Sequence, residues 1–150
     1  LRYDLSVGLG FVRSLWDDVR GHPEFNQPLP VDVTLDGEPY GEFRARILAI
    51  SSLDRLFMGI HPFWGTGDAP LKMSLITSDA KRFLRTFLSI LLRKRKALPA
   101  TDDGYHSRRA GQISLLMDGS FNLDGEIVQV RREDGPVVIS AAGPLSFLAL

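Results

Sequence analysis

The spacing of apolar positions changes several times along the chain. In residues 3–20, Leu5, Leu9, Val12, Trp16 and Val19 recur at helical spacing and predict a leading helix, which Gly8 and Gly10 weaken and Gly21-His22-Pro23 stops. From Pro30 the period falls to two. VDVTL alternates, LDGE interrupts, and FRARILAI alternates before becoming apolar, which predicts a β-hairpin with Asp36-Gly37 in a tight turn. Residues 51–70 have no clear period and carry three glycines and two prolines, so they read as a long irregular loop.

LKMSLIT then predicts a short strand. Ser78 suits an N-cap and Asp79 a first helical turn, ahead of a helix over AKRFLRTFLSILLRKRKAL. In it Phe83, Phe87 and Leu91 form one stripe beside Leu84 and Leu88, and Pro99 ends it. TDDGYHSRRAG reads as a loop. After it come QISLLM, a DGS turn, FNLDGEIVQV, a turn at Glu133-Asp134-Gly135, and PVVISAA. GPLSFLAL closes the chain as a last short strand or a docked tail. The expectation is roughly six to eight strands: a mainly β (α+β) fold, an antiparallel β-sandwich with one or two helices.

Composition changes this picture little. The 150 residues fit one domain, 1–150, and 44% hydrophobic residues with 24% charged ones describe a globular chain. The formal net charge is zero, so bulk charge gives no support for nucleic-acid binding. There is no cysteine, which excludes disulfides, thiolate nucleophiles and Cys-ligated zinc. No apolar run approaches the ~18–20 residues of a membrane span, and nothing resembles a signal peptide. His22, His61 and His106 show no metal-ligand spacing. Phosphate-binding Walker loops, dinucleotide fingerprints and nucleophile elbows are absent from the sequence.

The tetrapeptide LDGE occurs twice, at 35–38 and at 123–126, in flanks that do not align. The first copy is explained by the predicted hairpin turn. The second lies between Phe121 and Leu123 on one side and Ile127, Val128 and Val130 on the other, within or at the edge of a strand pattern. If Asp124 and Glu126 are strand residues, they project from one face with a glycine between them. Such a pair can hold Mg²⁺ through water, or one member can accept a proton from a hydroxyl. The other reading is a second turn with both acids solvated.

Taken in order, these motifs resemble the C-terminal half of the diacylglycerol kinase catalytic-domain family, the lipid kinases that include bacterial diacylglycerol kinases and sphingosine kinases. A leading helix runs into the strand pair PVDVTLDGEPYGEFRARILAI. The glycine-rich loop GIHPFWGTG follows, then DAPLKMSLI, similar to the family's Asp-Gly-x-Leu step into a strand. A helix comes next, then the Asp-Gly-Glu of LDGEIV, and VVISAAGPLSFLAL resembles the closing strand with its Pro-Leu pair. The resemblance covers nearly the whole chain, and the order of the motifs carries it.

The resemblance implies the C-terminal domain of a two-domain NAD kinase/diacylglycerol kinase-like fold. The N-terminal domain of such a kinase supplies a Gly-Gly-Asp-Gly-Thr loop for the ATP phosphates, and this chain has no Gly-Gly-Asp-Gly. The start at Leu1 suggests a piece of a longer protein, inactive alone. By resemblance Asp124 matches the general base toward a lipid hydroxyl, Glu126 the acid that helps position Mg²⁺, and Asp68 the structural-metal acid before the strand. The sequence departs from the family there. The usual Asp-Gly is Asp68-Ala69, followed by Pro70, and alanine tolerates positive φ poorly.

The implied cofactors are Mg²⁺ and ATP, the latter bound mainly by the N-terminal domain. The implied partner is a diacylglycerol or sphingoid-base substrate at a membrane surface, with the protein cytoplasmic and peripherally membrane-associated. Whether the domain forms a homodimer is left open. The helix carries Lys81, Arg82, Arg85, Arg93, Lys94, Arg95 and Lys96 against Asp79. Those cations either solvate the helix or meet anionic lipid. HPFWG, at 61–65, either packs on its own aromatics or lines the mouth of a lipid pocket. The rival from another class is a non-catalytic lipid- or protein-binding module in which both LDGE copies are turns. The NAD-kinase branch fits the Asp-Gly-Glu and the closing strand less well.

Overall fold

Alternation in the two-residue period builds the frame. A computed structural model describes residues 27–54, 61–91 and 99–142. The leading helix expected over 3–20, the helix beyond Leu91 with its RKRK cluster, and the GPLSFLAL tail lie outside the described residues. Strand β1 (Leu29–Leu35) pairs antiparallel with β2 (Glu38–Ser51) around Asp36-Gly37, the expected hairpin. Strand β3 (Leu71–Thr77) lies against β2 and pairs on its other side with β4 (Tyr105–Ala110). β5 (Gln112–Met117) pairs with β1, and β8 (Val137–Ser140) with β5. The result is a six-stranded sheet of order β4-β3-β2-β1-β5-β8, with every neighbouring pair antiparallel. β6 (Gly119–Leu123) and β7 (Glu126–Val130) form a separate two-stranded sheet.

The main sheet buries one face along most of its width and the other where β3 and β4 lie. On one, Val31, Val33, Ala45, Met73, Leu75, Ile113, Leu115 and Met117 form the larger core, and Phe121 and Val130 of the β6–β7 hairpin pack onto it. The hairpin is thus the second layer of a sandwich. On the other face, Ile76 and Tyr105 meet Phe87 and Ile90 of α1 (Phe83–Leu91), the single α-helix among the described residues, with Trp64 and Phe83 beside them. β3 is central to both clusters, and six of its seven residues are buried. That explains why LKMSLIT shows no clean alternation.

Two expectations are corrected. YHSRRA, read as part of a loop, is β4: its polar look conceals a strand whose Tyr105, His106, Ser107 and Ala110 are buried. Ser78 does not cap the helix. Its N–H bonds the Arg44 carbonyl at 2.9 Å, and Arg82 has φ of 52°, which no helical residue adopts, so α1 begins only at Phe83. FNLDGEIVQV, open between a strand and a turn, is two strands with the turn between them.

Candidate functional site: the second Asp-Gly-Glu turn

Both LDGE copies fold alike. Asp36 and Gly37 have φ of 51° and 86°, and Asp124 and Gly125 have 49° and 99°. Each pair is a two-residue hairpin loop with both residues left-handed, the pattern of a type I′ turn, which Asp-Gly favours. Asp124 is therefore at a turn tip, not on a strand, and Glu126 is the first residue of β7, opposite Leu123. The strand geometry that would put both carboxylates on one pleated face is replaced by a turn that carries them at the end of a hairpin. Asn122 braces it, its Oδ1 accepting the Gly125 N–H at 2.8 Å.

The two aspartates differ in what their carboxylates do. Asp36 Oδ1 accepts the backbone N–H groups of Gly111 and Gln112, each at 2.8 Å, and so ties the β1–β2 turn to the β4–β5 turn. Among the described residues neither Asp124 nor Glu126 has a hydrogen-bond or ion-pair partner, and both are exposed. Around them the hairpin tip is apolar, with Leu123 58% and Ile127 73% exposed. This is an acid pair free to engage something that is not part of the described fold.

Asp68 is exposed on the loop ahead of β3 and has no partner among the described residues. The left-handed position in that loop is Gly67, at φ 117°, so Ala69 is spared the conformation it would resist. Among the described residues no three acids or histidines gather as a metal cage. The loop at 61–67 is pinned by the sheet. Ser107 Oγ accepts the N–H groups of Trp64 and Gly65 at 3.1 and 2.9 Å, and Ser74 Oγ donates to the Pro62 carbonyl at 2.6 Å. Trp64 packs on the helix-side core. HPFWG is thus held by the serines of β3 and β4 and by Trp64 on the helix-side core.

Several polar centres escaped sequence reasoning because their members lie far apart in the chain. Arg132 makes a two-pronged bond to Asp32 at 2.8 and 2.9 Å. The guanidinium holds the Asp32 carboxyl below its usual range, and the same pairing raises Arg132. With Pro30, Glu42, Phe43 and Arg44 they line an open groove of ≈ 400 Å³. Lys72, buried in β3, donates to the Ser52 carbonyl and pairs with Asp54, which Arg109 also reaches. Lys72 holds Asp54 in its charged form. Tyr40 Oη lies 3.0 Å from His106 Nδ1, and Phe43 meets the imidazole edge-on at 4.8 Å. Burial pushes the His106 pKa down, with nearby Arg108 acting in the same direction and Asp79 opposing.

No family model matches the sequence, and no curated protein matches it. Two solved structures are similar to it in fold. One is a diacylglycerol kinase from Bacillus anthracis str. Sterne, with a TM-score of 0.48, 16% identity, and 75% of this chain and 38% of that one covered. The other, assigned as a diacylglycerol kinase in the same organism, has a TM-score of 0.49 and 13% identity over 77% of this chain and 38% of its own. The chain thus spans well under half the length of either.

Proposed function

We propose that this chain is the acid-supplying C-terminal β-sandwich of an ATP- and Mg²⁺-dependent lipid kinase that phosphorylates a hydroxyl of diacylglycerol or a sphingoid base. The observation that carries the reading is the contrast between two identical turns. The Asp36 carboxylate is consumed by the fold, whereas that of Asp124 has no partner among the described residues; Glu126, like Glu38 in the first turn, is exposed and unpartnered there. The motif order from VDVTLDGE to PVVISAA supports it independently.

In this reading Asp124 accepts the proton of the lipid hydroxyl as its oxygen bonds to the γ-phosphorus. The bond from that phosphorus to the β,γ-bridging oxygen breaks, ADP leaves, and Asp124 returns its proton to solvent. Glu126 would help hold Mg²⁺. A pair of solvated carboxylates without a closed cage suits an ion that keeps waters and phosphate oxygens as its other ligands. When bound, Mg²⁺ supplies charge neutralisation at the phosphates. Asp68 would supply a carboxylate to a structural metal. The nucleotide loop belongs to a domain outside this chain, so the chain alone is inactive. The protein works on the cytoplasmic side of a membrane to which it binds peripherally; no described helix is long and apolar enough to cross one.

A non-catalytic binding module remains the competing reading, favoured by Ala69-Pro70 where the family has glycine and by the turn conformation of both LDGE copies. One assay separates the two: transfer of labelled phosphate from ATP to diacylglycerol, ceramide and sphingosine in mixed micelles by the full-length protein and its Asp124→Asn variant. Asparagine keeps the left-handed turn, so the variant isolates the carboxylate. The kinase reading predicts transfer to one lipid class that drops about 10²–10⁴-fold in the variant. Transfer indifferent to Asp124, or none to any lipid, would move the assignment to the binding module.

A further inference from the structure

Helix α1 has two apolar sides, and the sheet uses only one of them. Phe83, Thr86, Phe87 and Ile90 face the sheet, where Phe83 and Phe87 stack with ring centroids 5.5 Å apart. One residue further round, Leu84 and Leu88 stand one turn apart and remain 43% and 45% exposed. A helix of an ordinary globular surface carries polar residues at those positions.

The charges around this stripe are of one predominant sign. From 79 to 85 the chain has Lys81, Arg82 and Arg85 against Asp79 alone, in a protein whose formal net charge is zero. All three cations are exposed. Lys81 pairs with Asp103 at 3.0 Å, while the guanidinium groups of Arg82 and Arg85 have no partner among the described residues. Arg46 of β2 lies over the Phe83 ring, 4.7 Å from its centroid, adding a fourth positive group at the helix start.

We propose that the outer stripe of α1, Leu84 and Leu88 with Lys81, Arg82 and Arg85, docks the protein on an anionic lipid bilayer. The leucines enter the acyl boundary while the cations meet headgroup phosphates, as interfacial helices do. A second copy of this chain fits the surface poorly, because a two-fold contact would set these cations against themselves. This docking names the membrane contact of the proposed lipid kinase and rests on that reading for its purpose. It is nevertheless a binding event that needs neither ATP nor Asp124.

The test is co-sedimentation of the full-length protein, without ATP, with vesicles of phosphatidylcholine alone and of phosphatidylcholine mixed with phosphatidylglycerol. The mixed vesicles are expected to retain the protein and the neutral ones to release it, with binding weakened by salt. Arg85→Gln should weaken binding about fivefold, the effect of ~1 kcal/mol per cation near an anionic surface. Leu84→Gln with Leu88→Gln should weaken it about tenfold or more. Both substitutions are at exposed positions, and thermal melts confirm that the helix persists. Equal binding by wild type and both variants overturns the proposal, as does absence of binding to the anionic vesicles. Micelle assays of phosphate transfer keep the two ideas apart. Variants that lose vesicles but still phosphorylate lipid in micelles support docking by α1 alongside the kinase reading. Vesicle binding with no transfer leaves docking standing and the kinase reading lost.

Discussion

The Asp36 carboxylate accepts the Gly111 backbone N–H at 2.8 Å, across 75 positions of sequence, and the next N–H, from Gln112, at the same distance. A charged acceptor shared by two amides holds two turns of the sheet together. Asp124 has the same left-handed backbone and no such duty. Alanine at either site carries the same conformational strain, so the difference between Asp36→Ala and Asp124→Ala isolates the carboxylate contacts. Asp36→Ala is expected to be the less stable by about 1–3 kcal/mol in urea unfolding. Equal losses would mean that the Asp36 contacts contribute nothing net.

Glu126→Gln retains the shape of β7 and removes one anion. If Glu126 helps hold Mg²⁺, the Mg²⁺ concentration needed for half-maximal transfer should rise about tenfold or more, as expected from losing one of few protein carboxylates. The melting temperature should stay as it is. An unchanged Mg²⁺ requirement would remove Glu126 from the metal role.

His106 couples folding to pH. Burial depresses its folded pKa below the ordinary 6.5, which the unfolded chain retains. As pH falls through about 6.5 the unfolded chain takes up a proton that the folded one does not, so stability is full above that value and declines below it. His106→Gln should flatten this decline, measured as urea midpoints on either side of 6.5. A slope identical to wild type would place the effect on another group.

Much of the scaffold was legible in the sequence. The β1–β2 hairpin, β5, β8 and the helix core followed from alternation and helical spacing, because each buries an apolar set at a regular period, and β3 followed from its short, mostly apolar run. β4 did not, since its buried positions are filled by His106 and Ser107, whose burial depends on Tyr40 and on the 61–67 loop. The start of α1 was missed because Ser78 and Asp79 look like a cap, while the positive φ of Arg82 has no sequence signal. At the candidate site the sequence located the two acids but left turn and strand open. The Asp32–Arg132 and Asp54–Lys72–Arg109 groups were invisible, because only the sheet order brings them together.

Gly65 packs where a side chain has no room. An added Cβ would stand 2.8 Å from the Ser107 carbonyl carbon and oxygen. Gly65→Ala should push the loop off β4 and cost about 1–3 kcal/mol, read as a lowered denaturation midpoint. A loss under ~0.5 kcal/mol, the usual scale of a harmless surface change, would show that the loop yields freely.

The shared backbone of the two LDGE turns bears on how much each letter says. A left-handed first turn position admits Asp, Asn or Gly whether or not any chemistry happens there. The turn by itself accounts for an aspartate at 124; it is the unpartnered carboxylate, not the letter, that sets this copy apart. No left-handed backbone calls for a glutamate at 126, the first residue of an ordinary strand. In a library randomised at both sites, selection for folding alone would restrict 124 and leave 126 diverse. If Glu126 helps hold the metal, selection for phosphoryl transfer would narrow 126 to acids, while Glu38, at the same place in the first turn, would stay diverse if randomised with them.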